Sequence, residues 1–566
     1  MTRSQPHRSA CARRTALAAL VGLVLVACAP EERGRERAEQ ADLIIRGLIY
    51  TGVESAPTAE AVAVRGGRIL KVGARADIDP LAGRNAEVIE LENGALYPGF
   101  VDSHAHLLGI GLRELTLNLE GVGSIEELVD IVAANVIESA PGATVYGRGW
   151  IETGWPEGRM PTRDDLDPVS PDNPVVLTRA DGHAAVVNSA ALAAVGVDAQ
   201  TPDPEGGRIE KDASGEPTGM LIDRAMDLVA PLVGAPDEAR REEAYGVGAK
   251  VYAAHGWTGL HNMSVEPGDV AIMERLAVQG DLPIRVYNAL DPAGLHWLEQ
   301  NAPRTDDTGR VITRAMKLYA DGALGSRGAA LFDPYADKPD TSGLLLMTPD
   351  EARTLMRRAL AAGVQVCTHA IGDKANALVL DWYADVLDGA ANDLRWRIEH
   401  AQVVRPADIS RFAALGVIAS MQPSHAIGDL FFAPARLGTG RLDGAYAWRS
   451  LIGAGAIIAG GSDAPVERGD PLIEFYAAVA RRGLDGHQGE DWRPEEAVTR
   501  EEALKMFTLW PARASFQEDA LGTIEPGKRA DFTAFSKDIM TVPETDILTA
   551  RATLTVVDGV VVYRDD

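Results

Sequence analysis

The chain has 566 residues, with 55 Lys and Arg against 82 Asp and Glu, a formal net charge of −27. Its length exceeds one small domain and suits a large barrel with accessory structure, and its composition is that of a globular protein. So acidic a chain excludes a nucleic-acid partner, which needs clustered Lys and Arg.

The first residues read as an export signal rather than as part of the fold. Arg3, Arg8, Arg13 and Arg14 precede an apolar run at 17–27 that is too short to span a membrane comfortably. The run ends in Leu25-Val26-Ala27-Cys28, which resembles a bacterial lipobox. Residues 1–28 then form a lipoprotein signal with Cys28 as the lipid-bearing residue; an ordinary signal peptide or an uncleaved anchor is the alternative. Arg13-Arg14 leaves twin-arginine export open beside the general route. Residues 29–41 are charged and apolar-poor, a tether. The expected location is the periplasmic side of a bacterial membrane, held by the N-terminal lipid only. Ala29 after the cysteine resembles the rule for outer-membrane sorting. Cys11 leaves with the signal, so Cys367 alone remains in the folded part, and no intrachain disulfide framework is expected.

Residues 42–49, 61–72 and 86–90 are strand-like, with Gly66-Gly67 as a hairpin turn. Residues 531–535, 552–557 and 560–563 have the same texture, with Asp558-Gly559 between the last two. The two ends, 42–97 and 518–566, therefore predict one small β-sandwich built from both termini. Between them, 98–517 alternates helical stretches (125–139, 349–362, 374–387, 500–508) with short apolar strands. That order predicts βα units and a parallel sheet. From about 140 to 236 the pattern is broken by Gly- and Pro-rich sequence, including two short strands around a turn at 212–215. This reads as an insertion over the barrel mouth.

Polar residues sit where the short strands end. Phe100 and Val101 lead into His104-x-His106, and two imidazoles two residues apart on a strand share a face and reach one metal ion. Residues 315–318 carry Lys317 ahead of Asp321-Gly322. Residues 364–368 run into His369, and 396–398 into Glu399-His400. Residues 456–459 pass through Gly460-Gly461-Ser462 to Asp463. Functional residues at the C-terminal ends of several parallel strands are the layout of a (β/α)8, TIM-like barrel site, and the fold class is α/β. Each residue also has an ordinary use: Asp463 as a helix cap, Lys317 as an ion-pair partner of Asp321, a histidine as a satisfied polar group.

Taken with their contexts (VDSHAHL, MKLYADGALG, THAIGD, IEHAQ and GSDAP), these six residues resemble the amidohydrolase superfamily. Within it they resemble the amidohydrolase 3 branch that includes N-substituted formamide deformylase, over roughly residues 42–566. The resemblance implies that His104 and His106 with Asp463 hold one divalent ion and that His369 and His400 hold a second. It also implies a carboxylated Lys317 bridging the two. Nitrogen and carboxylate donors suit Zn²⁺, with Mn²⁺, Fe²⁺ and Ni²⁺ open. The implied activity is hydrolysis of a carbon–nitrogen bond other than a peptide bond (an amide, formamide or N-acyl group) by metal-activated hydroxide. Asp463 would carry the proton to the leaving amine. A small-molecule substrate would meet Trp150, His183, Arg327 and His425, in segments resembling the family's substrate-facing loops. Three rivals stay open: a mononuclear deaminase or deacetylase, a lactone or ester hydrolase on the same barrel, and a non-catalytic ligand-binding lipoprotein.

Overall fold

Eight short, almost wholly buried strands make the parallel barrel at the centre of the molecule. In chain order they are Phe100–Ala105, Trp257–Val265, Arg285–Leu290, Val311–Tyr319, Gln365–Ala370, Arg397–His400, Ile418–Met421 and Ile458–Gly460, and each pairs with the next in that order. The first and last are joined just past their ends. His106 N donates to Ala464 O (2.8 Å) and Asp463 N donates to His104 O (2.7 Å). The computed structural model describes residues 40–565 except Thr153, Asp181, His183, Glu205, Gly206 and Glu490. The leader and lipobox expected at 1–28, nearly all of the tether and the candidate substrate residue His183 therefore lie outside the described residues. Among the described residues no helix is long and apolar enough to cross a membrane.

Helices return the chain between strands as the sequence pattern requires. Pro349–Ala361 starts at a capping box in which Thr348 and Glu351 satisfy each other's backbone N–H, and it leads into the fifth strand. Asp373–Leu387 connects the fifth strand to the sixth and buries Val379, Leu380, Trp382 and Tyr383.

Strands from both chain ends form one eight-stranded sheet. Ala95–Pro98 joins the two contributions by pairing antiparallel with Phe532–Phe535 and meeting Ala41–Tyr50 at Ile49 and Leu96. Leu43, Ile45, Val62 and Val64 pack with Phe532, Leu554 and Val556 in its core. The hairpins at Gly66-Gly67 and Asp558-Gly559 both form. Phe100 N donates to Thr533 Oγ1 (3.1 Å), which fixes the start of the first barrel strand against this sheet.

A second sheet of six strands interrupts the barrel between its first and second strands, running from Leu117–Asn118 to Pro217–Asp223. It begins well before residue 140. Ile125–Glu138, which reads as a barrel helix from its periodicity, buries Ile125, Leu128 and Val132 against Val145, Trp150 and Leu177 of this insertion. Periodicity reports that a helix has an apolar face, not which sheet covers it. The insertion's two ends meet where helix Leu107–Glu114 packs on helix Glu238–His255. A Cβ on Gly111 would lie 1.8 Å from Ala244 O, so only glycine permits that approach.

Candidate metal centre

His104, fully buried, lies on the first barrel strand, and His106 follows its last residue. His104 Nδ1 is 2.6 Å from Glu399 Oε2. A carboxylate only accepts, so Nδ1 carries the hydrogen and Nε2 keeps its lone pair. His106 Nδ1 donates in the same way to Met263 O (3.2 Å). Both Nε2 atoms then face Asp463 Oδ1, at 3.1 Å from His106 and 3.6 Å from His104. Lone pairs meet lone pairs there, an arrangement that a cation resolves. These three residues bring one donor atom each within 4.8 Å of one another.

Four more groups complete the cluster. Lys317, on the fourth strand, is buried with Nζ 3.3 Å from His104 Nε2. Burial pushes its ammonium down, against the pull of Glu399 and Asp463. His400 donates from Nδ1 to Gln422 Oε1 (2.9 Å), and its ring centroid is 4.6 Å from those of both His104 and His369. His369 Nε2 is buried without a hydrogen-bond partner, 3.5 Å from Asp321 Oδ1. His425 joins His400 and Asp463 in a second group of donors within 4.8 Å. It differs from the others in tautomer: Gln402 Nε2 donates to its Nδ1 (3.1 Å), so His425 Nε2 carries hydrogen. Asp321 accepts from the backbone N–H of Ala330, Ile371 and Gly372, and so ties the fourth and fifth strand loops together.

Burial first, then the charge of Lys317, pushes His104 down to about 4 and His369 to about 3. Both are neutral imidazoles near neutral pH, the form a metal ligand requires. His400 and Asp463 have φ of 72° and 63°. Left-handed backbone at non-glycine residues costs about 1–3 kcal/mol, and here it turns two strand ends inward onto the cluster.

A buried frame holds these residues. Arg397 pairs with both oxygens of Glu399 (2.6 and 3.0 Å) and donates to His261 Nδ1 (2.8 Å). Asp102 accepts from His104 N and Ser462 N (both 3.0 Å) and from Ser462 Oγ and Tyr252 OH. It thereby stitches the first strand to the loop after the eighth. Neither acid was expected from the sequence. The available signal was position alone, each acid being one or two residues from a candidate histidine.

A family model described as "Amidohydrolase family" matches residues 87–563. The chain belongs to the amidohydrolase family. Protein LONG AFTER FAR-RED 3 of Arabidopsis thaliana is 36% identical over 535 residues, 88% of this chain and 89% of that protein. N-substituted formamide deformylase of Arthrobacter pascens is 31% identical over 540 residues, 92% of this chain and 98% of that enzyme. The crystal structure of an uncharacterized metal-dependent hydrolase from Pyrococcus horikoshii OT3 aligns with a TM-score of 0.73 and 27% identity, over 89% of this chain and 99% of that one.

Two substrate residues expected from the sequence of this amidohydrolase are engaged elsewhere. Trp150 is fully buried in the core of the insertion, where Nε1 donates to Leu177 O (2.8 Å) and the ring packs on Trp155. It is a core residue, not the wall of a substrate pocket. Arg327 forms a two-pronged pair with Asp337 (3.1 and 2.8 Å), so its guanidinium is not free for a substrate carboxylate. Arg179 and Asn188 are likewise structural: Arg179 pairs with Glu152, and Asn188 caps helix Ser189–Val195.

Proposed function

We propose that this amidohydrolase is a metal-dependent hydrolase that cleaves a carbon–nitrogen bond of a small-molecule amide, formamide or N-acyl compound. The observation that carries the reading is the meeting of lone pairs at Asp463, with the hydrogens of His104 and His106 turned outward to Glu399 and Met263. His104, His106 and Asp463 would hold one divalent ion. His369 and His400 would hold a second, with Lys317, carboxylated, between them; zinc suits this donor set. The ions, when bound, supply an activated water and polarise the scissile carbonyl. The chain's own part is to place and move charge. Glu399 and Met263 fix two imidazoles in one tautomer, and Asp463 lies where it can take a proton and return it to the leaving nitrogen. An amide nitrogen leaves poorly as an anion, so that return matters. The relatives' names support the reading, one being a formamide deformylase and one a metal-dependent hydrolase.

The test is metal per chain together with a broad screen of amides, ureas, lactones and esters, with and without a chelator. Chelator-sensitive amide hydrolysis supports the proposal, and hydrolysis confined to lactones or esters overturns it. A single-ion version with unmodified Lys317 is favoured by one observation, the 3.3 Å approach of Lys317 Nζ to His104 Nε2, and one metal per active chain would select it. Export as a lipoprotein rests on residues 17–28 and is tested by Cys28→Ser. That change should release the protein or leave its precursor unprocessed, and normal processing with unchanged membrane association would refute the lipobox.

A further inference from the structure

On the His106 side of the centre lies a cavity of about 370 Å³, a volume suited to a small molecule. Leu108, Leu112 and Val265 line it, and it reaches His106 itself. Its polar wall comes from the C-terminal ends of neighbouring barrel strands, the face on which such barrels bind substrate. Ser264 belongs to the second strand and Asp291 follows the third, and both line the cavity. Tyr319, the last residue of the fourth strand, touches both: its hydroxyl donates to Asp291 Oδ1 (3.5 Å) and meets Ser264 Oγ. A carboxylate only accepts, so the Tyr319 hydrogen goes to Asp291 and the Ser264 hydrogen goes to Tyr319. Both hydroxyl hydrogens are thus spent inside the triad. Ser264 and Asp291 are left with acceptors alone, the serine lone pairs and the second carboxylate oxygen. The guanidinium in the same wall is already matched: Arg241 pairs with Asp269 (3.0 Å), which also accepts from Tyr245 OH (2.9 Å). Glu266 lines the cavity too, and among the described residues no Lys, Arg or His forms an ion pair with Asp291 or Glu266.

We propose that this cavity is a subsite for a primary ammonium group that the substrate carries away from its scissile bond, with Asp291 as counter-ion and Ser264 as a second acceptor. The proposal rests on the amide-hydrolase reading above and narrows its substrate class to cationic amides, of which the mono-acyl form of a short diamine is the simplest. A primary ammonium has three donors and no acceptor, the complement of what Ser264 and Asp291 offer. The apolar walls suit the carbon chain that joins the ammonium to the amide. A free carboxylate in the same place would meet Asp291 and Glu266 as like charges, so anionic N-acyl compounds are disfavoured on this side of the centre. Asp291 and Ser264 are specificity residues in this account. Tyr319 is a positioning residue, since it fixes the two acceptors relative to each other.

The test is binding of three probes to the full-length protein, measured by titration calorimetry: butylammonium, its neutral counterpart butan-1-ol, and butyltrimethylammonium, which has the charge but no N–H. A charged hydrogen bond should favour butylammonium over each of the others by roughly tenfold. Asp291→Asn should bring the ratio to butan-1-ol close to one. Ser264→Ala keeps every charge and should lower the preference over butyltrimethylammonium, so it tests the acceptor pair even if Asp291→Asn does not fold. No preference for butylammonium in the unaltered protein overturns the proposal. So does a preference that survives Asp291→Asn, which would mean that a metal ion holds the amine. Equal binding of butyltrimethylammonium also overturns it, because a diffuse negative field would then be enough. If the screen finds no amide hydrolysis while the ammonium preference follows Asp291, the functional reading fails and the subsite stands. If mono-acyl diamines are hydrolysed no faster than neutral amides of equal length, the subsite fails and the functional reading stands.

Discussion

Glu399 joins a neutral imidazole and a buried cation of the barrel interior into one system: it accepts from His104 and neutralises Arg397. Glu399→Gln is expected to act twice. Removing the charge leaves the Arg397 guanidinium buried and unpaired, at a cost of about 3–5 kcal/mol. It also loosens the tautomer and orientation of His104, which should weaken metal binding by roughly 10- to 100-fold. Urea melts and metal stoichiometry at a set free-metal concentration measure the two effects, and unchanged metal affinity would reduce Glu399 to a partner of Arg397 alone. For Lys317, Lys317→Ala is expected to lose at least one ion and nearly all hydrolysis, with partial recovery from added short-chain carboxylic acids. Lys317→Arg should fail as well, because a guanidinium stays charged. A fully active two-metal Lys317→Ala enzyme would refute the bridge. The polar residues at strand ends were readable because each stands out after an apolar run, and the fold draws them into one cluster. Glu399 was not. Neighbours on a strand point to opposite faces, so His400 argues against Glu399 facing the same centre. The φ of 72° at His400 removes that objection, and no residue type announces it.

The insertion is an element with its own core, and that core decides what Trp150 does. Trp150→Ala should destabilise the protein by about 3–5 kcal/mol, the usual cost of emptying a buried aromatic site. The ratio of kcat/KM for two substrates should not move in the protein that remains folded, and a changed ratio would return Trp150 to the substrate pocket. The strand pair around 212–215 could be read from its turn residues, and both strands form. The start of the insertion could not, because helix Ile125–Glu138 has the same apolar period whether it covers the barrel or the second sheet. The barrel seam is a similar case. Two backbone hydrogen bonds beyond the last strand residues close it, and Asp102 holds their flanks, contacts between segments far apart in the chain.

At the scale of the molecule, the terminal sheet and the barrel are held together by charge as well as by apolar packing. Arg285, at the start of the third barrel strand, pairs with Asp531 (2.6 Å) and with Asp558 (2.5 Å), and Arg529 also reaches Asp558 (2.7 Å). The Asp558-Gly559 hairpin was legible as a turn, but its second use as an ionic clasp was not, since that depends on a partner supplied by the barrel. Burial pushes the Asp558 carboxyl up, and Arg285 and Arg529 outweigh it, so its pKa in the folded protein is below the ordinary value. A carboxyl depressed in this way contributes stability at every pH above its unfolded value, about 3.9. That stability drains away as the pH falls through the folded value. Asp558→Asn keeps a side chain that tolerates the φ of 53° and removes only the charge. At pH 7 it should cost about 1–3 kcal/mol, the range for hydrogen bonds to charged groups and for a buried cation left short of a partner. The gap between the two proteins should hold from pH 7 down to about 5 and narrow below about 4, as the unaltered carboxyl takes up its proton. Urea melts across that range measure it, and a gap that stays constant down to pH 3 would show that Asp558 stabilises the hairpin by its shape rather than the clasp by its charge.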